Sequence, residues 1–152
     1  MSTSKDGNDP KGKSVETAIT NTSPCVLIVE NCQVDCFVTS YLLRGHNVQV
    51  IAAQGPWQAL ELLNAEHNVK LILSNYWMPN MTGYDLLMEV KKSPKLSHLP
   101  VVITSFDKSP EIVKKCLDGG AKDYIMKPIK YGDVPRILRS LCAFNLTESY
   151  KY

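Results

Sequence analysis

Five times along this chain a short continuous apolar run gives way to a longer stretch of helical periodicity, and few folds accommodate that alternation. Cys25-Val-Leu-Ile-Val29, Leu71-Ile-Leu73 and Val101-Val-Ile103 are runs without polar interruption, the form taken by strands buried on both faces. Val48 to Ala52 and Tyr124 to Met126 are weaker examples. Between them apolar residues recur at i, i+3 and i+4: Val34, Phe37, Val38, Tyr41 and Leu42; Leu60 and Leu63; Leu86, Leu87 and Val90; Ile112, Val113 and Cys116; Val134, Ile137, Leu138 and Leu141. Gly55-Pro56 and Ser109-Pro110 are helix starts, and Gly119-Gly120 suits a left-handed helix end. Five βα units result. Joined by right-handed crossovers they form an open, doubly wound α/β sheet, whose functional residues gather at the carboxyl ends of the strands.

Composition sets the boundaries of that unit. The chain has 152 residues, 44% apolar, which suits one globular domain. Residues 1–24 are rich in Ser, Thr and Lys and too poor in apolar side chains to offset ordering entropy, so they are expected to be a disordered tail. Residues 25–143 form the domain and 144–152 a short second tail. The longest apolar run is five residues, against the roughly 20 of a membrane helix, and no signal peptide precedes the domain. The expectation is a soluble, intracellular protein without a membrane partner. A net charge of +2 with no basic block argues against nucleic acid. Cys25, Cys32, Cys36, Cys116 and Cys142 lack zinc or disulfide spacing and read as reduced, half-buried thiols.

The strand ends carry the chemistry. Glu30-Asn31 follow the first strand, Asn75 the third, Ser105 ends the fourth, and Lys127-Pro128 follows the fifth. With Leu73-Ser-Asn-Tyr-Trp-Met-Pro-Asn-Met-Thr-Gly-Tyr84, and separations of 44, 30 and 22 residues between Asn31, Asn75, Ser105 and Lys127, this pattern resembles the receiver domain of two-component response regulators. The wording around Tyr76-Trp-Met-Pro and Met81-Thr-Gly-Tyr-Asp-Leu-Leu87 is similar to the plant type-A response regulators of cytokinin signalling. The resemblance implies a flavodoxin-like sheet of five parallel strands in the order 2-1-3-4-5, with five helices.

It also implies roles. In the family an aspartate at the position of Asn75 takes a phosphoryl group from a phosphohistidine. Two acids at the positions of Glu30 and Asn31, with that aspartate and the carbonyl of Trp77, hold Mg²⁺. A hydroxyl at Ser105 and an amine at Lys127 receive the phosphoryl oxygens, and the aromatic at Tyr124 follows the hydroxyl inward as the switch. Glu30, Ser105 and Lys127 match; Asn31 and Asn75 do not.

A carboxamide is no nucleophile, so acyl phosphate formation has lost its attacking group. Mg²⁺ surrenders its waters reluctantly and needs local negative charge. An intact site sets three carboxylates against one Lys, whereas here Glu30 and Lys127 cancel, so Mg²⁺ binding is expected to be weak or absent, with no cofactor, no metal site and no catalytic residue. Neutral drift of the two Asn is the plain alternative. Phe106, where the family has a small residue, is a candidate lid over the cleft; its plain alternative is an ordinary loop aromatic.

The expected protein is therefore not an enzyme but a pseudo-receiver that binds a histidine-phosphotransfer protein through the first helix and the loop after the fifth strand. It would modulate a cytokinin phosphorelay negatively, in the cytoplasm or nucleus. A phosphorylated regulator using deamidated Asn75 or another acceptor is the second reading. A flavodoxin-like electron carrier is remote, because Glu30 to Asp35 put carboxylates where a phosphate loop would sit. The nine residues after 143 leave no room for a DNA-binding effector domain. Two further expectations concern geometry: a cis Lys127-Pro128 bond, and a direct or water-shared approach of Lys127 to Glu30.

Overall fold

The strands expected from the apolar runs are all present in a computed structural model, which describes residues 23–149 and their side chains through Leu141. The order is β1 (Cys25–Val29), α1 (Gln33–Arg44), β2 (Gln49–Ala53), α2 (Pro56–Asn64), β3 (Val69–Asn75), α3 (Gly83–Lys92), β4 (Val101–Ser105), α4 (Pro110–Asp118), β5 (Asp123–Met126) and α5 (Val134–Ser149). A 3₁₀ turn, Tyr131–Asp133, leads into α5. All neighbours pair in parallel, in the order β2-β1-β3-β4-β5.

Uninterrupted apolar strands follow from covering both faces of this sheet. Leu27, Ile72 and Ile103 point into one layer with Leu63, Leu86, Leu87 and Val90 from α2 and α3. Their neighbours Val26, Ile28, Leu71, Leu73, Val102 and Ile125 point the other way, onto Leu43 of α1 and Ile137 and Leu141 of α5. Alternate residues thus serve opposite cores, and polar side chains enter β3 and β4 mainly at their carboxyl ends, as Ser74, Thr104 and Ser105.

Several expectations shift. β2 starts one residue later than expected, and β3 runs on to include Asn75. Gly119 ends α4 in right-handed conformation (φ −77°), while Gly120 takes the left-handed one (φ 109°). Ser23 and Pro24 belong to the fold rather than the tail: the Ser23 hydroxyl donates to Asn47 Oδ1 (3.1 Å), and Gln49 N–H donates to the Pro24 carbonyl (2.8 Å). At the other end α5 continues beyond 143 to Ser149. The remaining tail expectations, residues 1–22 and 150–152, lie outside the described residues, as does the Cys142 side chain. Nor are the thiols uniformly half-buried: Cys25 and Cys116 are buried, Cys36 is intermediate and Cys32 exposed. Burial pushes the Cys116 thiol up to about 11.

α1 keeps most of its apolar residues on the surface. Its apolar stripe marks the helix but not the face that packs, because Val34, Phe37, Val38 and Tyr41 are exposed while Thr39 and Leu43 are buried.

One close approach fixes the site from below. Gly83, first residue of α3, donates its N–H to the Tyr76 carbonyl (2.7 Å). A Cβ at this position would lie 2.5 Å from the Asn75 carbonyl oxygen and 3.1 Å from Tyr76 Cα. Both neighbours are backbone and cannot rotate away, so Gly83→Ala should destabilise the fold by about 2–3 kcal/mol in urea denaturation, and a loss below about 0.5 kcal/mol would contradict this packing.

Candidate functional site

Parallel pairing brings the strand ends level. Val29 lies opposite Ala53 and Ser74, Asn75 opposite Thr104, and Ser105 opposite Met126. Glu30, Asn31, Asn75, Ser105 and Lys127 therefore meet at one edge, as the sheet type requires. Of these, Glu30, Asn75, Ser105 and Lys127 are buried, and Asn31 is exposed. Lys127-Pro128 is cis, as expected.

The two carboxamides are joined. Asn75 Nδ2 donates to Trp77 O (2.7 Å) and to Asn31 Oδ1 (3.0 Å). Because a backbone carbonyl only accepts, the atom facing Trp77 must be the amide nitrogen, which settles the orientation of the Asn75 side chain. One NH₂ group thus spans two of the positions where the family's pattern expects metal ligands.

Lys127 reaches across the cleft. Its ammonium lies 2.7 Å from Glu30 Oε1, as expected, and also 3.0 Å from Asp35 Oδ2 on α1. The other Glu30 oxygen accepts from Cys32 N–H at 3.2 Å. Asp35 was not legible as a site residue, since its sequence position says only that it lies in the first turn of a helix. With it, two carboxylates face one ammonium, so the cluster carries a net charge of −1 rather than the expected zero.

Phe106 does lean over this cluster, with Lys127 Nζ 5.5 Å from its ring centroid, yet the ring remains 62% exposed. It shields the ammonium from one side without closing the cleft. The contact is a weak cation–π interaction.

A second network ties the loops after β3 and β4 together. Trp77 Nε1 donates to Asp107 Oδ2 (3.0 Å), Ser109 donates to Asp107 Oδ1 from both its hydroxyl (2.7 Å) and its N–H (3.0 Å), and Asp107 N–H donates to Ser105 Oγ (3.0 Å). Tyr124, buried, donates its hydroxyl to the Asp107 carbonyl (2.6 Å). Burial pushes the Tyr124 phenol up, so it stays a donor at physiological pH. The buried position of Tyr124 is thus held by a bond to the protein's own backbone.

Hydrogen bonds from Ser109, then from Trp77, hold the Asp107 carboxyl below its ordinary value of 3.8. A depressed folded pKa means that the bonds persist above 3.8 and are lost as pH falls through the lower folded value. The Trp77 indole N–H resonance should therefore hold steady from neutral pH down to about 4 and move only below it. Movement between pH 7 and 5 would show that Asp107 is not its partner.

The donor set does not suit the magnesium ion that the fold implies. Both available oxygens of the Asn31–Trp77 pair already accept from Asn75, and both oxygens of Glu30 are engaged by Lys127 and Cys32. Among the described residues no group of three or more His, Cys, Asp or Glu could hold a metal. Position 75, at the end of β3, carries a carboxamide in place of a carboxylate. Deamidation of Asn75 would need its side-chain carbon to be attacked by the Tyr76 nitrogen, but that N–H is bound to the Thr104 carbonyl (2.8 Å) in the sheet.

The pattern of the response regulator receiver domain matches residues 26–139. The chain belongs to this family. It is 62% identical over 116 residues to the two-component response regulator ORR12 of Oryza sativa subsp. japonica, covering 76% of this chain and 96% of that protein. Identity to ORR8 of Oryza sativa subsp. indica is 61% over 117 residues, covering 77% and 97%. Among solved structures, the receiver domain of a signal transduction histidine kinase from Syntrophus aciditrophicus superposes with a TM-score of 0.72 at 28% identity, covering 80% of this chain and 92% of that one. A receiver domain from Pseudomonas aeruginosa PAO1, with a magnesium ion coordinated in its active site cleft, shares the fold at a TM-score of 0.69 and 24% identity, covering 78% and 96%. The receiver described here belongs with plant two-component response regulators, and none of its described helices is long and apolar enough to cross a membrane.

Proposed function

We propose that this receiver is not phosphorylated and acts by binding. It docks a histidine-phosphotransfer protein through α1 and the loop after β5, and so lowers flux through a cytokinin phosphorelay in the cytoplasm or nucleus. The observation that carries the reading is the Asn75 amide: its nitrogen bridges Trp77 O and Asn31 Oδ1, where a working receiver needs a carboxylate nucleophile and a metal. The outward apolar face of α1, with Val34, Phe37, Val38 and Tyr41 exposed, supports docking, since a monomer has no use for such a stripe in water.

Incubation with acetyl phosphate and Mg²⁺ should leave the intact mass unchanged, while calorimetric titration with a phosphotransfer protein should show saturable binding that Phe37→Ala with Tyr41→Ala weakens at least about tenfold. A gain of one phosphoryl group mapping to Asn75, or binding indifferent to the α1 double variant, would overturn it.

A further inference from the structure

Large exposed aromatics stand in the βα connections of this receiver or in the helices that follow them. Phe37 sits near the start of α1 after β1, Trp57 at the start of α2 after β2, Trp77 two residues past β3, Phe106 directly after β4, and Tyr131 in the turn after β5. Their exposures lie between 54% and 71%. In a parallel sheet these connections lie at the same edge, so Trp77 and Phe106 flank the face that holds Glu30, Asn31, Asn75 and Lys127, with Phe37 of α1 beside Glu30, whereas the Tyr131 ring packs against His46 (centroids 5.3 Å) beyond the end of α1. Aromatic anchors around a small polar centre are the usual anatomy of a protein-binding surface.

The centre determines which partner fits. Glu30 and Asp35 outnumber Lys127, whose ammonium is bound to both carboxylates and flanked by the Phe106 ring. The remaining groups are carboxamides, already joined to each other and to Trp77 O. Lys108, on the loop after β4, is exposed, so its charge is screened. Nothing at the centre offers an uncommitted cation. A phosphoryl group brings about two negative charges and three strong acceptors, and here it would meet a net negative cluster. An unmodified imidazole, neutral or protonated near pH 7, brings the opposite preference: it can donate to the partly exposed Asp35 carboxylate.

We infer that this face selects the unphosphorylated form of a histidine-bearing helical partner over its phosphorylated form. The inference rests on the docking reading above and adds a direction to it: the receiver takes the spent carrier out of circulation instead of competing for the charged one. The rim supplies affinity common to both forms, and the Glu30–Asp35–Lys127 cluster supplies the discrimination.

Calorimetric titration of the full chain separates the two ideas. The probe is a histidine-phosphotransfer protein, used unmodified and after phosphorylation of its histidine with phosphoramidate. The unmodified form should bind at least about tenfold more tightly, and Asp35→Asn should narrow that ratio by raising affinity for the phosphorylated form alone. Equal affinities, or tighter binding of the phosphorylated form, would overturn the selectivity while leaving docking intact. Binding of neither form would remove the docking reading and the selectivity together. Self-association of the chain alone in sedimentation velocity, abolished by Phe37→Ala with Phe106→Ala, would assign the rim to a second copy and overturn the inference as well.

Discussion

Replacing Asn31 and Asn75 together by aspartate should turn a chain that acetyl phosphate leaves unlabelled into one that gains a phosphoryl group when Mg²⁺ is present. The change restores the nucleophile and a second acidic ligand, and it frees Trp77 O from the Asn75 amide. Without metal the same variant should be less stable than the parent by about 2–4 kcal/mol, because a buried carboxylate replaces a donor and faces acceptors on both sides. Millimolar Mg²⁺ should recover much of that loss, since a ligand that binds only the folded state stabilises it by mass action. Intact mass spectrometry and urea denaturation with and without EDTA read both effects. Asn75→Asp alone should label far less; equal labelling of single and double variants would show that Asn31 does not limit metal binding.

A second large effect is expected at Lys127. Removing the ammonium as Lys127→Met leaves Glu30 buried beside Asp35 with no cation, and an uncompensated buried charge typically costs about 3–5 kcal/mol. Adding Glu30→Gln should return most of that stability, because the charge that lacked a partner is then gone. Asp35→Asn by itself should cost less than about 1 kcal/mol, as its carboxylate is 28% exposed. Urea midpoints at neutral pH measure all three. If Lys127→Met loses under about 1 kcal/mol, the cluster does not hold the cleft together.

Much of this was legible in the residues because local and global signals agreed. Continuous runs at Cys25–Val29 and Val101–Ile103 had one use, a strand covered on both faces, and the Lys127–Glu30 pair followed once the strand ends were known to converge. What escaped depended on the third dimension. The α1 stripe has the period of a helix, but periodicity reports only that one face is apolar, not that it faces inward; here Thr39 and Leu43 pack while Phe37 and Tyr41 do not. Asp35 is an ordinary first-turn acid until the fold sets it 3.0 Å from Lys127. The Trp77–Asp107 bond joins residues 30 apart on two loops whose mutual distance no pattern encodes. A cue did exist in Asp107-Lys-Ser109, where an Asp two residues before a Ser suits a side-chain-capped turn.

The amide bridge at Asn75 also bears on how such a site could change over generations. Asn31→Asp as a first step is permissive, because a carboxylate at 31 still accepts from Asn75 Nδ2 and strengthens the contact by its charge. Asn75→Asp as a first step is not, since it removes the donor from two acceptors at once. The two orders end in the same sequence but pass through intermediates of different fitness for folding. A path that places aspartate at both positions is therefore expected to run 31 before 75, since one that starts at 75 passes through a less stable protein.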